Sequence, residues 1–143
     1  MSTWKTILVG VDGSRGSRKA LTWAAAEAAD HGANLVVVHV WERTLPPAAG
    51  NPGVPAHDAS DTSENAADEL VEIIKAELGE DPPVVAQPRV KQGRPAEVLI
   101  EESAAADLLV VGTRGHGGFA GLLLGSVSQH VAAYAQCPVT VVR

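Results

Sequence analysis

Two stretches of this chain carry residue types that can hold an anion. The longer reads Gly112-Thr-Arg-Gly115-His-Gly-Gly-Phe-Ala-Gly-Leu-Leu-Leu-Gly125-Ser126-Val127-Ser128. Glycines without a Cβ let the backbone approach a ligand and turn its N–H groups inward. A helix starting after Gly125 would add unsatisfied donors and a partial positive charge, a site suited to phosphate. The hydroxyls of Ser126 and Ser128 can donate as well. Each hydrogen bond to a charged phosphate contributes roughly 1.5–3 kcal/mol, so a few reach micromolar affinity. The competing reading is a flexible glycine-rich connector, against which the consecutive Leu122, Leu123 and Leu124 speak. The shorter stretch is Val9-Gly10-Val11-Asp12-Gly13-Ser14. Asp12 stands where a strand stops and a helix has not begun. Its carboxylate can accept hydrogen bonds from a ribose, hold a metal through phosphate, or cap the helix in competition with Ser14.

Other nucleotide and hydrolase motifs are missing. A Walker loop needs Lys after its second glycine, where Gly118 follows Gly117, and Gly10, Gly13 and Gly16 have the wrong spacing for a dinucleotide fingerprint. No G-x-S-x-G nucleophile elbow occurs. Cys137 is the one cysteine, which excludes an internal disulfide and a cysteine metal cluster. His31, His57 and His130 lack ligand spacing, and His39 follows the period of an apolar run as a core or helix-facing residue. Arg114 and His116 face phosphate or solvent; Lys91 and Arg94 end the third apolar run.

These segments need a frame. Apolar residues make up 45% of the chain but aromatic ones 3%, so the core consists of Val, Leu, Ile and Ala, which suits a buried parallel sheet under Ala-rich helices. Five apolar runs read as strands: 6–11, 35–40, 84–90, 108–111 and 139–142. Helical spacing separates them. The first helix presents Leu21, Ala24, Ala25 and Ala28, with Ser14 as cap and Gly32 as stop. The second presents Ala67, Leu70, Val71, Ile74 and Leu78, and ends at Gly79. A third opens on Pro95 and uses Ala96, Leu99, Ile100, Ser103 and Ala104. The fourth, from about Ser126 to Ala135, turns Val127, Val131, Tyr134 and Ala135 inward. Strict alternation predicts an α/β fold: one open five-stranded parallel sheet with helices on both faces, a Rossmann-like arrangement. Pro88 cannot donate to a ladder, so the third strand belongs at an edge, and order 3-2-1-4-5 follows. Strands 1 and 4 then meet at the reversal point, where such sheets bind ligands.

Residues 42–60, rich in Pro and Gly, form a long loop, either a surface insertion or a flap beside the ligand. The net charge of −6 comes with no basic stripe, which speaks against nucleic acid as a partner. The apolar run at the N-terminus is too short for a signal peptide or membrane span, so a cytoplasmic protein is expected.

Residues Gly112 to Ser126 fit G-x2-G-x9-G-[S/T] without a gap. Together with ILVGVDGS, LVVVHVWE and CPVTVVR in order, the chain resembles the universal stress protein family along nearly its whole length, as one domain over 1–143. The resemblance implies the 3-2-1-4-5 sheet and the ATP-binding branch of the family, with or without Mg²⁺. Gly10, Val11 and Asp12 would flank adenosine, with Asp12 near the ribose. Val40 would meet adenine through its backbone, and Val111 and Gly112 would line the floor. Gly115, Gly125, Ser126, Val127 and Ser128 would hold the phosphates. Gly10 departs from the proline of some relatives, which leaves the strand end less rigid. A homodimer through Pro138 to Val142 is implied, and an exposed edge strand invites such pairing. With mainly neutral amides and hydroxyls around the phosphates, hydrolysis is expected to be slow or negligible. The alternatives are a slow ATPase or self-phosphorylating protein using Ser126 or Ser128, a pocket for cyclic AMP or AMP, and an interaction protein with an empty pocket.

Overall fold

The computed structural model describes residues 4–42, 63–113 and 124–143. Among them the order is β1 (Thr6–Gly10), α1 (Arg15–His31), β2 (Asn34–Trp41), α2 (Ser63–Leu78), β3 (Ala86–Gln92), α3 (Pro95–Ser103), β4 (Leu108–Gly112), α4 (Ser126–Tyr134) and β5 (Val139–Val142). All strand pairs are parallel, and the sheet runs β3-β2-β1-β4-β5. The alternation and the proline together thus gave the correct topology. Pro88 lies on edge strand β3, in register with Val37.

Alternating side chains of the buried strands feed two cores. Ile7, Val9, Leu35, Val37, Leu108 and Val110 pack with Leu21, Ala24, Ala25 and Ala28 of α1 and with Leu70 and Ile73 of α2. On the opposite face Leu8, Val36, Val38, Leu109 and Val111 pack with Leu99 of α3 and Val131 of α4. Local signals set the helix ends. Ser14 caps α1 by accepting from the Ser17 amide, and Gly32 ends it in the left-handed region (φ 63°). Gly79 follows α2 with φ 79°, and Pro95 opens α3.

Three helices differ from the sequence expectation. In α2 the buried positions are Ala66, Leu70 and Ile73, with Ile74 and Leu78 half-buried, while Val71 is 36% exposed. The apolar stripe of α2 is wide enough to admit two rotations, and packing on α1 and the sheet selects the one led by Ile73. In α4 Tyr134 is 66% exposed instead of inward, its ring 5.3 Å from that of His130. Ala104 likewise lies exposed just past the end of α3. The third strand starts at Ala86 instead of Val84 and continues to Gln92. Apart from Glu42, the long loop expected at 42–60 lies outside the described residues, as does His57. No helix of the described residues is long and apolar enough to cross a membrane.

Candidate functional site

Strands β1 and β4 are neighbours in the sheet, and the segments leaving their carboxyl ends lie at the reversal of strand order. The segment after β1 makes a tight corner. Val11 donates its N–H to the Val38 carbonyl (2.9 Å), continuing the ladder one residue past β1. Its carbonyl oxygen lies 2.9 Å from Nδ1 of His39. A carbonyl only accepts, so Nδ1 carries the hydrogen in this contact. Both polar backbone groups of Val11 are therefore satisfied, and its side chain is in the core. Asp12 accepts the Ser14 amide through Oδ1 (2.9 Å), and its own amide donates to the Ser17 hydroxyl (3.2 Å). Ser14 is the helix cap, and Asp12 braces the turn that presents it. Gly13 sits at φ 82°, a conformation that side-chain-bearing residues rarely adopt. Its carbonyl accepts Nε of Arg18 (3.0 Å), and Nη1 of Arg18 reaches Oε1 of Glu77 on α2 (3.2 Å).

At β4 the spacing is set by absent side chains. A Cβ on Gly112 would come within 2.7 Å of the Gly16 backbone, so β4 meets the start of α1 in direct main-chain contact. A Cβ on Gly10 would meet the Leu99 side chain at 2.9 Å on the other face. Thr113 then ties the two ends of the glycine segment together. Its carbonyl accepts the Gly125 amide (2.5 Å) and the Ser128 hydroxyl (2.8 Å), the latter also lying 3.1 Å from the Gly125 carbonyl. The start of α4 is thus fastened beside the end of β4. Gly125 is the cap residue of α4, without a side-chain cap bond, and the amides of Ser126, Val127 and Ser128 have no hydrogen-bond partner among the described residues. Those three donors, with the helix dipole behind them, mark the positive end of the site.

Val40 lies at the end of β2, beyond the reach of β1. Val38 directs its carbonyl to Val11 on the β1 side, and backbone direction alternates along a strand. Val40 therefore points its N–H and C=O to that same side, past the last residue of β1, whereas Trp41 accepts from Gly93 on the β3 side.

The structure thus brings Gly10, Val11, Asp12, Val40, Val111, Gly112, Gly125, Ser126, Val127 and Ser128 to the carboxyl ends of β1, β2 and β4. Gly115, Arg114 and His116 lie outside the described residues. Two donors expected at phosphate are directed elsewhere. The Gly125 amide and the Ser128 hydroxyl both bond the Thr113 carbonyl, so the available donors are main-chain N–H groups one to three residues into α4. Thr113 and Arg18 were not assigned roles from sequence, and His39 was read as a core or helix-facing residue, which its burial bears out but which did not foretell its bond to Val11. Thr113 acts through its carbonyl, which leaves no mark on residue type, but a lone imidazole in the apolar run Leu35 to Val40 was a visible signal. Among the described residues no group of three or more His, Cys, Asp or Glu side chains could hold a metal ion.

Residues 3–143 match the model of the universal stress protein family. A universal stress protein of Thermus aquaticus is 40% identical over 146 residues, covering 98% of this chain and 99% of the relative. Another, from Mycolicibacterium smegmatis, is 40% identical over 139 residues, covering 96% of this chain and 45% of the relative. The chain therefore spans about half the length of some curated relatives and nearly all of others. Among solved structures, a universal stress protein in complex with cAMP aligns with a TM-score of 0.66 and 30% identity, covering 99% of this chain and 98% of that one.

Proposed function

Since the chain belongs to the universal stress protein family, we propose that it is an adenine-nucleotide-binding module whose ligand lies across the carboxyl ends of β1 and β4. The observation that carries this reading is the start of α4. Three amides without a partner among the described residues open a helix fastened next to the β1 corner by Thr113. An anion there meets aligned donors and a positive dipole end. The backbone N–H and C=O of Val40, directed past the end of β1, offer one donor and one acceptor to the edge of a purine. Asp12, at the corner between them, sits where a ribose would bridge base and phosphate.

A nucleoside monophosphate, AMP or cyclic AMP, is the reading favoured by the 30% identical relative bound to cAMP. The three amides of α4 suffice for one phosphate. A second reading, ATP with or without Mg²⁺, is supported by the full G-x2-G-x9-G-S spacing from Gly112 to Ser126. In that reading Gly115 would join Gly125, Ser126, Val127 and Ser128 at the phosphates, and Gly125 contributes the room left by its missing side chain. The protein would act by occupancy, since the described site offers amides and no cationic side chain to stabilise a departing γ-phosphate. A homodimer through β5 belongs to the same proposal, because the outer edge of β5 ends the sheet.

Calorimetric titration with AMP, cyclic AMP, ADP and ATP, each with and without Mg²⁺, tests the assignment. AMP or cyclic AMP should bind in the micromolar range. Affinity that climbs steeply with phosphate number would select ATP instead, and phosphate release followed in parallel would reveal turnover. Absence of binding by all four ligands would remove the proposal. Gly125→Val should abolish binding while the fold persists, and Asp12→Ala should weaken it by about 1–3 kcal/mol if ribose hydrogen bonds are lost.

A further inference from the structure

The carbonyl groups flanking Asp12 are both held by side chains from outside the corner. The one before it, on Val11, is bonded by Nδ1 of His39 at 2.9 Å, from β2. The one after it, on Gly13, is bonded by Nε of Arg18 at 3.0 Å, and Arg18 is itself tied to Glu77 on α2. We infer that His39 and Arg18 are positioning residues for the nucleotide site, fixing the Val11–Asp12 and Gly13–Ser14 peptide planes at the two ends of the Asp12–Gly13 span so that the Asp12 carboxylate is set before a ligand arrives. The inference rests on the nucleotide reading given above.

His39 is 9% exposed in a strand whose neighbours from Leu35 to Val40 are otherwise Leu and Val. A polar ring there is unfavourable unless it is hydrogen-bonded, and its bond is made to the residue preceding Asp12. The orientation of a side chain follows from the φ and ψ of its own residue, which in turn set the directions of the peptide groups on either side. The Val11 carbonyl belongs to the peptide plane on the N-terminal side of Asp12, and the Gly13 carbonyl to the Gly13–Ser14 plane one residue beyond its C-terminal side. Holding both ends of this two-residue span limits the backbone rotations open to Asp12 and Gly13 together, and with them the Cα–Cβ direction of Asp12. Within the corner, the bonds to Ser14 and Ser17 restrict what freedom is left. A group already ordered in the free protein loses less entropy on binding, so affinity rises without any new contact to the ligand. Neither His39 nor Arg18 needs to touch nucleotide for this to operate.

Three variants of the full chain separate positioning from mere stability. His39→Leu removes the donor and keeps an apolar side chain of similar bulk. His39→Asn restores an N–H near the position of Nδ1. Arg18→Met keeps the aliphatic stem on a half-exposed side chain and so spares the core. His39→Leu and Arg18→Met should each weaken AMP or cyclic AMP binding about 10-fold, and His39→Asn should return it to within about 3-fold of wild type. Hydrogen exchange of the Asp12, Gly13 and Ser14 amides in ligand-free protein should quicken about 10-fold in His39→Leu and Arg18→Met and recover in His39→Asn. Unchanged exchange at this corner in folded His39→Leu and Arg18→Met overturns the inference, as does quickened exchange with unchanged affinity. If wild-type protein binds none of AMP, cyclic AMP, ADP or ATP, the nucleotide reading fails, and with it the positioning role for that ligand. The exchange data then still decide whether the two side chains hold the corner.

Discussion

The hydroxyl of Ser128 lies 2.8 Å from the carbonyl oxygen of Thr113, so the first turn of α4 is tied to the residue that leaves β4. Ser128 is 3% exposed, and this bond shares its acceptor with the Gly125 amide. Ser128→Ala should cost about 1 kcal/mol, because Thr113 keeps one partner and no buried group is orphaned. Thermal unfolding would show a loss of about 3 °C. Nucleotide affinity measured on the same variant should fall by more than that stability loss explains, since the amides of α4 are then less firmly placed.

Gly112 and Gly10 end adjacent strands but answer to different neighbours. A methyl group on Gly112 meets main-chain atoms of Gly16 at 2.7 Å, and these cannot move without shifting α1. On Gly10 it meets the outer carbons of Leu99, a side chain that can change rotamer. Gly112→Ala should therefore destabilise by about 3 kcal/mol, at the upper end of overpacking effects, and Gly10→Ala by about 1 kcal/mol. Chemical denaturation of the two variants side by side checks the ranking, which equal midpoints would refute.

The rotation of α2 can be read from two substitutions. Ile73 is 4% exposed, whereas Val71 is 36% exposed. Ile73→Ala should cost about 2–5 kcal/mol through the cavity it leaves. Val71→Lys should stay within about 0.5 kcal/mol of wild type, as surface substitutions do. Reversed magnitudes would mean that α2 packs through the face expected from its sequence alone.

Burial pushes the Cys137 thiol above its usual range, the negative charge of Asp107 adds to the rise, and a backbone hydrogen bond from Leu109 opposes it. The thiolate is the reactive form, so labelling by a disulfide reagent at neutral pH should be slower than for free cysteine. The rate should climb only at pH values above the ordinary thiol range of about 8.5. A pKa raised by folding means the neutral thiol is favoured in the native state, so this contribution is complete below the ordinary thiol pKa. It is lost as alkaline pH passes through the raised one. A labelling rate that matches free cysteine from pH 7 upward would contradict the burial.

Much of this molecule follows from local order along the chain. Runs of branched apolar residues separated by helical spacing specify alternating strands and helices, and Pro88 places the third strand at an edge because it lacks a donor. Ser14, Gly32 and Pro95 act within one turn of their own positions, so the helix limits they set were legible without any tertiary contact. The gathering of Asp12, Gly112 and the start of α4 at one edge follows from strand order, which sequence pattern supplied. Which groups stay available there is a different matter. The Gly125 amide and the Ser128 hydroxyl looked like ligand donors until the Thr113 carbonyl came within reach of both. His39 and Arg18 take their meaning from carbonyls 28 and 5 residues away. A hydrogen bond depends on distances of a few tenths of an ångström, which residue types along the chain do not encode. Residue types state what a group can donate or accept, and only the folded chain decides what it meets.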